Sequence, residues 1–188
     1  MGLGMYLTKK TYVKKWDHIN PDAQFDVTVT RGGVPYAPIK AERVKYVEEE
    51  VCYWRKANQI HKWFVDHVQG GVDNCHTYYV SSEQLKDLHD TVVRVLSVAN
   101  MASGKVSSGY SFNADGTKHT FWEDGRVITN PEEVAAILPT GAGYFFGGTD
   151  YDEWYIKDLE HTRDSLASLI AEDEGDGSDF YYEYESSW

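Results

Sequence analysis

The residues best suited to chemistry fall in one run, Tyr53-Trp54-Arg55-Lys56-Ala57-Asn58-Gln59-Ile60-His61-Lys62-Trp63-Phe64. Read as a helix, this run puts Trp54, Asn58 and His61 on one stripe and Arg55, Gln59 and Lys62 on the next. Asn and His are mediocre helix formers, so something beyond propensity, such as a hydrogen bond to a loop or a ligand, is expected to hold them there. Two readings fit: a buried polar network that ties the helix to its neighbours, or one wall of a small-molecule or nucleotide site completed by Tyr151 and Trp154.

A second group follows a glycine-rich loop. Gly141-Ala142-Gly143 and Gly147-Gly148-Thr149 flank Tyr144-Phe145-Phe146, just ahead of Asp150-Tyr151-Asp152-Glu153-Trp154. A helix starting here would offer an anion roughly half a positive charge. Asp150, Asp152 and Glu153 place three carboxylates in the same turn, which reverses the sign. They read as helix caps, with a cation or a basic side chain as the guest that fits.

Other chemistry is poorly supported. The histidines are His18, His61, His67, His76, His89, His119 and His161, and neither they nor Cys52 and Cys75 have the compact spacing of a zinc site. No metal or other cofactor is expected. Gly-x-Ser-x-Gly, His-Glu-x-x-His and phosphate-loop signatures are absent from the sequence. Two cysteines are too few for a disulfide framework and read as reduced thiols.

The elements that must position these residues alternate along the chain. Leu3, Met5 and Leu7 set a period-2 strand over 2–13, and Phe25, Val27 and Val29 another, turned at Gly32-Gly33 into Val34–Ile39. Residues 44–51 read as a strand and 51–68 as an amphipathic helix. Ser81 and Gln84 form a capping box that opens a helix running to about Ser103-Gly104. Two Asp-Gly turns, at Asp115-Gly116 and Asp124-Gly125, predict a three-stranded meander over 108–129. Asn130-Pro131 starts a short helix and 150–170 a long one. The fold class is therefore α+β: a single domain over 1–170, with a mixed or antiparallel sheet and a β-meander packed on about three long helices. Residues 171–188 carry seven acids and no Lys or Arg, which predicts a solvated, mobile acidic aromatic tail.

The chain has 188 residues and a net charge of -12, distributed as +4 over residues 1–62, -9 over 63–170 and -7 over 171–188. Such a surface repels phosphate backbones unless the basic N-terminal third forms its own face, and it favours a basic protein partner. The sequence has neither a membrane-spanning apolar run nor a secretory signal, and Tyr6 stands where a myristoylation motif wants Ser or Thr. A soluble intracellular protein is the expectation.

Three blocks carry a resemblance: Met1-Gly2-Leu3-Gly4-Met5-Tyr6-Leu7, the run from Tyr53 to Phe64, and Phe146-Gly147-Gly148-Thr149-Asp150-Tyr151-Asp152-Glu153-Trp154-Tyr155. Together they resemble a family of small uncharacterised phage and prophage proteins, in which Asp stands at the place of Gly4. The resemblance implies a mobile-element origin and the cytoplasm of a bacterial host, and it brings no activity. Accessory proteins of that origin commonly act against the host. The resulting expectation is a non-catalytic, anti-CRISPR-like inhibitor whose acidic surface, including Asp150 to Trp154, binds the basic nucleic-acid-binding surface of a defence protein. The alternative is a nucleotide-binding protein or enzyme built on Trp54, Asn58 and His61.

Overall fold

The computed structural model describes residues 2–16, 20–21 and 24–188. Met1 of the opening block and His18 lie outside them. The elements in order are β1 (Gly4–Tyr12), β2 (Thr30–Arg31), β3 (Val34–Pro35), β4 (Tyr46–Arg55), α1 (Asn58–His67), β5 (Tyr78–Val80), α2 (Ser82–Val98), β6 (Met101–Phe112), β7 (Lys118–Ile128), α3 (Pro131–Ile137), α4 (Glu153–Asp173) and β8 (Phe180–Ser187). The class is α+β, as the sequence predicts.

A four-stranded antiparallel sheet in the order β4-β1-β8-β5 forms one layer. Its inner face carries Leu3, Met5, Leu7, Cys52, Trp54, Val80, Tyr182 and Tyr184 into a single core with Ile60 and Phe64 of α1, Leu88 and Val92 of α2 and Leu159 and Leu166 of α4. The period-2 pattern of β1 works as read, with Leu3, Met5 and Leu7 fully buried and Tyr6 facing out. The capping box of α2 also forms: Ser81 Oγ accepts from the Gln84 amide at 3.2 Å, and Gln84 Oε1 accepts from the Ser81 amide at 2.9 Å. Gly32 and Gly33, at φ of 60° and 80°, make the predicted turn, although the strands flanking it are only two residues long.

Four expectations are corrected. Residues 51–55 continue β4 rather than opening α1, because Cys52 and Trp54 alternate inward with Tyr53 outward while the chain pairs with β1. Aromatic and β-branched residues fit that half-buried pleated surface, and cross-strand packing overrides the helical spacing.

The predicted meander is a two-stranded arm, because Asp124-Gly125 is not a turn. Gly125 pairs with Gly104 within the ladder, and a Cβ at either position would lie 2.7 Å from Val106 or 2.6 Å from Val127. Glycine is there to let those valines fold over the strands. This ladder begins at Met101, so α2 stops short of the predicted 103–104. The arm leaves Tyr110, Phe112, Phe121 and Trp122 about half exposed or more.

The predicted solvated tail is β8, inserted between β1 and β5 with Tyr182 and Tyr184 buried. Its acids meet cations: Glu183 pairs with Lys10 at 2.6 Å, while Lys9 reaches Asp173 at 2.7 Å. The same pairs absorb part of the basic charge of the N-terminal third. No helix among the described residues is long and apolar enough to cross a membrane.

Candidate functional site

The stripe read from the sequence is divided by the break between β4 and α1. Lys56, at φ of 61°, redirects the chain, and its amide donates to the Leu3 carbonyl at 2.9 Å. Trp54, on the strand, points inward and donates from Nε1 to Thr162 Oγ1 of α4 at 2.8 Å. Asn58 opens α1 and fastens the glycine-rich loop: Nδ2 donates to the Gly148 carbonyl at 2.6 Å, and Oδ1 accepts from the Gly141 amide at 3.0 Å.

His61 sits between Asp73 and Tyr184, with Nε2 3.0 Å from Asp73 Oδ1 and Nδ1 2.8 Å from the Tyr184 hydroxyl. A carboxylate only accepts, so in the neutral ring Nε2–H donates to Asp73 and Nδ1 accepts from Tyr184. Burial holds the imidazole below its ordinary pKa despite the nearby carboxylate. Trp54, Asn58 and His61 are each 2% exposed and spend their polar atoms internally. Arg55, at the outer end of β4, is exposed, as are Tyr53 and Lys56. The arrangement matches the buried-network reading.

Beside this network, Gln59 Nε2 donates to Asp158 Oδ2 at 3.1 Å. Burial pushes the Asp158 carboxyl up to about 6. The native state therefore holds a proton that the unfolded chain releases at lower pH, so this contribution to stability is full in acid and is lost as pH rises to about 6. His61 works the other way: its depressed pKa makes stability fall as pH drops below the ordinary imidazole value of 6.5. Asp158→Asn, which keeps an acceptor for Gln59, is expected to stabilise the protein by about 2 kcal/mol at neutral pH and by little in acid, given ~1.4 kcal/mol per unit and partial solvation. Urea titrations of both proteins at the two pH values check this.

The second predicted group lies at the start of α4, with Asp152 buried and Asp150 and Trp154 exposed. Asp152 caps α4, accepting from the Trp154 and Tyr155 amides at 2.8 and 3.3 Å, as the sequence suggests for these carboxylates. Burial raises its pKa, with Asp150 and Glu153 adding to the shift against the lowering by the two amides. Asp150, Tyr151 and Asp152 line a cleft of about 300 Å³ at the base of the arm, facing Lys105, Val106 and Trp122. Glu153 is half-buried, while Trp154 is exposed with Lys157 Nζ 3.9 Å from its ring centre.

No family model, curated protein or solved structure matches this chain. Its chemistry is therefore read from its own geometry.

A cysteine-histidine pair is the remaining chemical candidate, and its geometry does not support a nucleophile. Cys52 Sγ is 3.8 Å from His161 Nε2, but that nitrogen lies 3.0 Å from the Tyr53 carbonyl and must donate its proton there. Burial pushes the Cys52 thiol up to about 11, opposite to the activation that thiolate chemistry needs. Among the described residues, no group of three His, Cys, Asp or Glu side chains is placed to hold a metal ion.

Sequence reasoning missed Asp73, Asp158, Thr162 and Tyr184 as partners of the polar network, and Trp122 as the wall of the cleft. Gln59 and Asp158 stand 99 positions apart, and no local spacing signals such a pair.

Proposed function

We propose that this protein is a non-catalytic inhibitor that binds a basic surface of a host defence protein, a nucleic-acid-guided nuclease. One observation carries the reading: the arm of β6 and β7 exposes Tyr110, Phe112 and Trp122 on one face of its ladder and Phe121 on the other, and has a carboxylate-lined cleft at its base. Exposed apolar patches rimmed by polar groups mark interaction surfaces, and the net charge of -12 selects a basic partner. Internal use of Trp54, Asn58 and His61 favours this over the nucleotide-site alternative, and a host-directed role in the bacterial cytoplasm is what the resemblance of the three sequence blocks implies.

Adding the purified protein to a CRISPR nuclease of a bacterial host should displace its nucleic acid, less so as salt shortens the Debye length from about 10 Å at 0.1 M to about 3 Å at 1 M. Asp150→Asn with Glu153→Gln should slow association about fivefold, since peripheral charges act mainly on the on-rate. The melting temperature should barely move, because the Glu153–Lys157 pair is at 3.8 Å and partly solvated. Nucleotide turnover that disappears in His61→Ala would replace this reading with an enzymatic one.

A further inference from the structure

The sheet turns one face to the core and leaves the other open. On the open face the register aligns Tyr53, Glu50, Glu48 and Tyr46 of β4 with Tyr6, Thr8, Lys10 and Tyr12 of β1. Glu185, Glu183 and Tyr181 of β8 continue the rows, with Tyr79 of β5 beyond Glu183. Ring contacts confirm a common face: Tyr6 to Tyr53 at 5.2 Å between centres, Tyr12 to Tyr46 at 5.3 Å, Tyr46 to Tyr181 at 5.8 Å and Tyr79 to Tyr181 at 6.3 Å.

Among the described residues no helix or strand covers this face. Tyr6, Tyr53 and Tyr79 are 36%, 37% and 64% exposed, and Trp16 touches one corner by donating to the Tyr12 hydroxyl. Lys10 is held between Glu183 at 2.6 Å and Glu48 at 3.5 Å. Glu50 and Glu185 have no ion-pair partner among the described residues, and Glu185 accepts instead from the Thr77 hydroxyl at 3.1 Å. Four carboxylates against Lys10 and Arg55 leave the face at -2.

We infer that this tyrosine and glutamate face is a docking surface for an arginine-rich segment of a protein partner. Charge complementarity selects a cation, and the chemistry of the face selects arginine over lysine. A guanidinium stacks flat on a phenol ring while its N–H fork engages a carboxylate with two bonds, whereas an ammonium is a compact, strongly hydrated point charge. Rings beside carboxylates, as Tyr53 beside Glu50 on β4 and Tyr181 and Tyr79 beside Glu183, offer both contacts at once. The inference rests on the basic-partner reading and adds where the partner sits and what it presents.

The probes are a labelled peptide of alternating Arg and Gly and a Lys-Gly peptide of equal length and charge, titrated against the full chain at low salt. The arginine peptide should bind about fivefold tighter than the lysine peptide, reflecting stacking and bidentate pairing. Its amide shift changes should map to β1, β4 and β8. Glu50→Gln with Glu183→Gln, and separately Tyr6→Leu with Tyr53→Leu, should each weaken it about tenfold. Glu132→Gln with Glu133→Gln, which removes the same charge from α3, should weaken it less than about twofold, as expected of general electrostatics alone. Thermal melts confirm that each variant is folded. Equal affinity for the two peptides, shifts confined to the cleft at the base of the arm, or single-stranded RNA binding to the sheet face would each overturn the inference. Shifts in the cleft alone would leave the basic-partner reading intact, and failure of every basic peptide to bind would sink both.

Discussion

Deleting residues 178–188 is expected to abolish the cooperative unfolding transition. The deletion removes β8, whose neighbours β1 and β5 lose their shared partner. Tyr182 and Tyr184 are 1% and 0% exposed, and Tyr184 stacks on Phe64 with ring centres 3.8 Å apart. Truncating a large buried aromatic costs about 3–5 kcal/mol. Two such losses, with two hydrogen-bonded ladders, consume most of the roughly 5–15 kcal/mol by which domains are stable. The Lys10 ammonium would lose Glu183 and His61 would lose Tyr184, while Lys9 would lose the Phe180 ring 3.9 Å from its Nζ. Far-UV circular dichroism during heating reads the outcome, together with amide dispersion in NMR spectra. A melt like that of the full chain would show that the last strand is not part of the sheet. Tyr184→Ala is the graded version, expected to cost about 4 kcal/mol while leaving a residual transition.

Trp54→Ala is the second large expected effect, about 4 kcal/mol of destabilisation measured by urea unfolding with an unchanged slope. The indole is 2% exposed, makes an edge contact with Phe64 at 5.9 Å between centres and donates to Thr162. Its removal leaves a cavity on the sheet's inner face beneath the edge strand β4, which close packing cannot refill. Trp54→Phe should cost about half as much, since it keeps a ring but loses the indole N–H to Thr162. If Trp54 were instead the wall of an open ligand site, Trp54→Ala would shift the midpoint by less than about 1 kcal/mol, as solvated positions do.

Both predictions concern residues whose placement cannot be read locally, and the division between legible and illegible features has a physical basis. The sequence by itself determined β1 through the alternation of Leu3, Met5 and Leu7. It also determined the start of α2 through Ser81 and Gln84, the start of α3 through Asn130-Pro131, a carboxylate cap for α4 within Asp150, Asp152 and Glu153, and the turn at Gly32-Gly33. In the capping box, the Asp152 cap, the Pro131 start and the glycine turn the deciding groups lie within a few residues, so backbone geometry alone brings them together, whereas the alternation of β1 marks its apolar face without naming its partners.

Tertiary structure decided the rest. Trp54 and Ala57 have helical spacing, but pairing of Tyr53 with Tyr6 and of Trp54 with Met5 keeps β4 extended through Arg55. Asp124-Gly125 has the composition of a turn, yet the pairing with Gly104 holds it in a ladder. The acidic C-terminal segment looks self-repelling until Lys9 and Lys10, more than 160 positions away, are placed beside Asp173 and Glu183. The free energy of a charge depends on what faces it, and that of an aromatic ring on what covers it. A linear sequence specifies the groups, whereas only the folded chain specifies their neighbours.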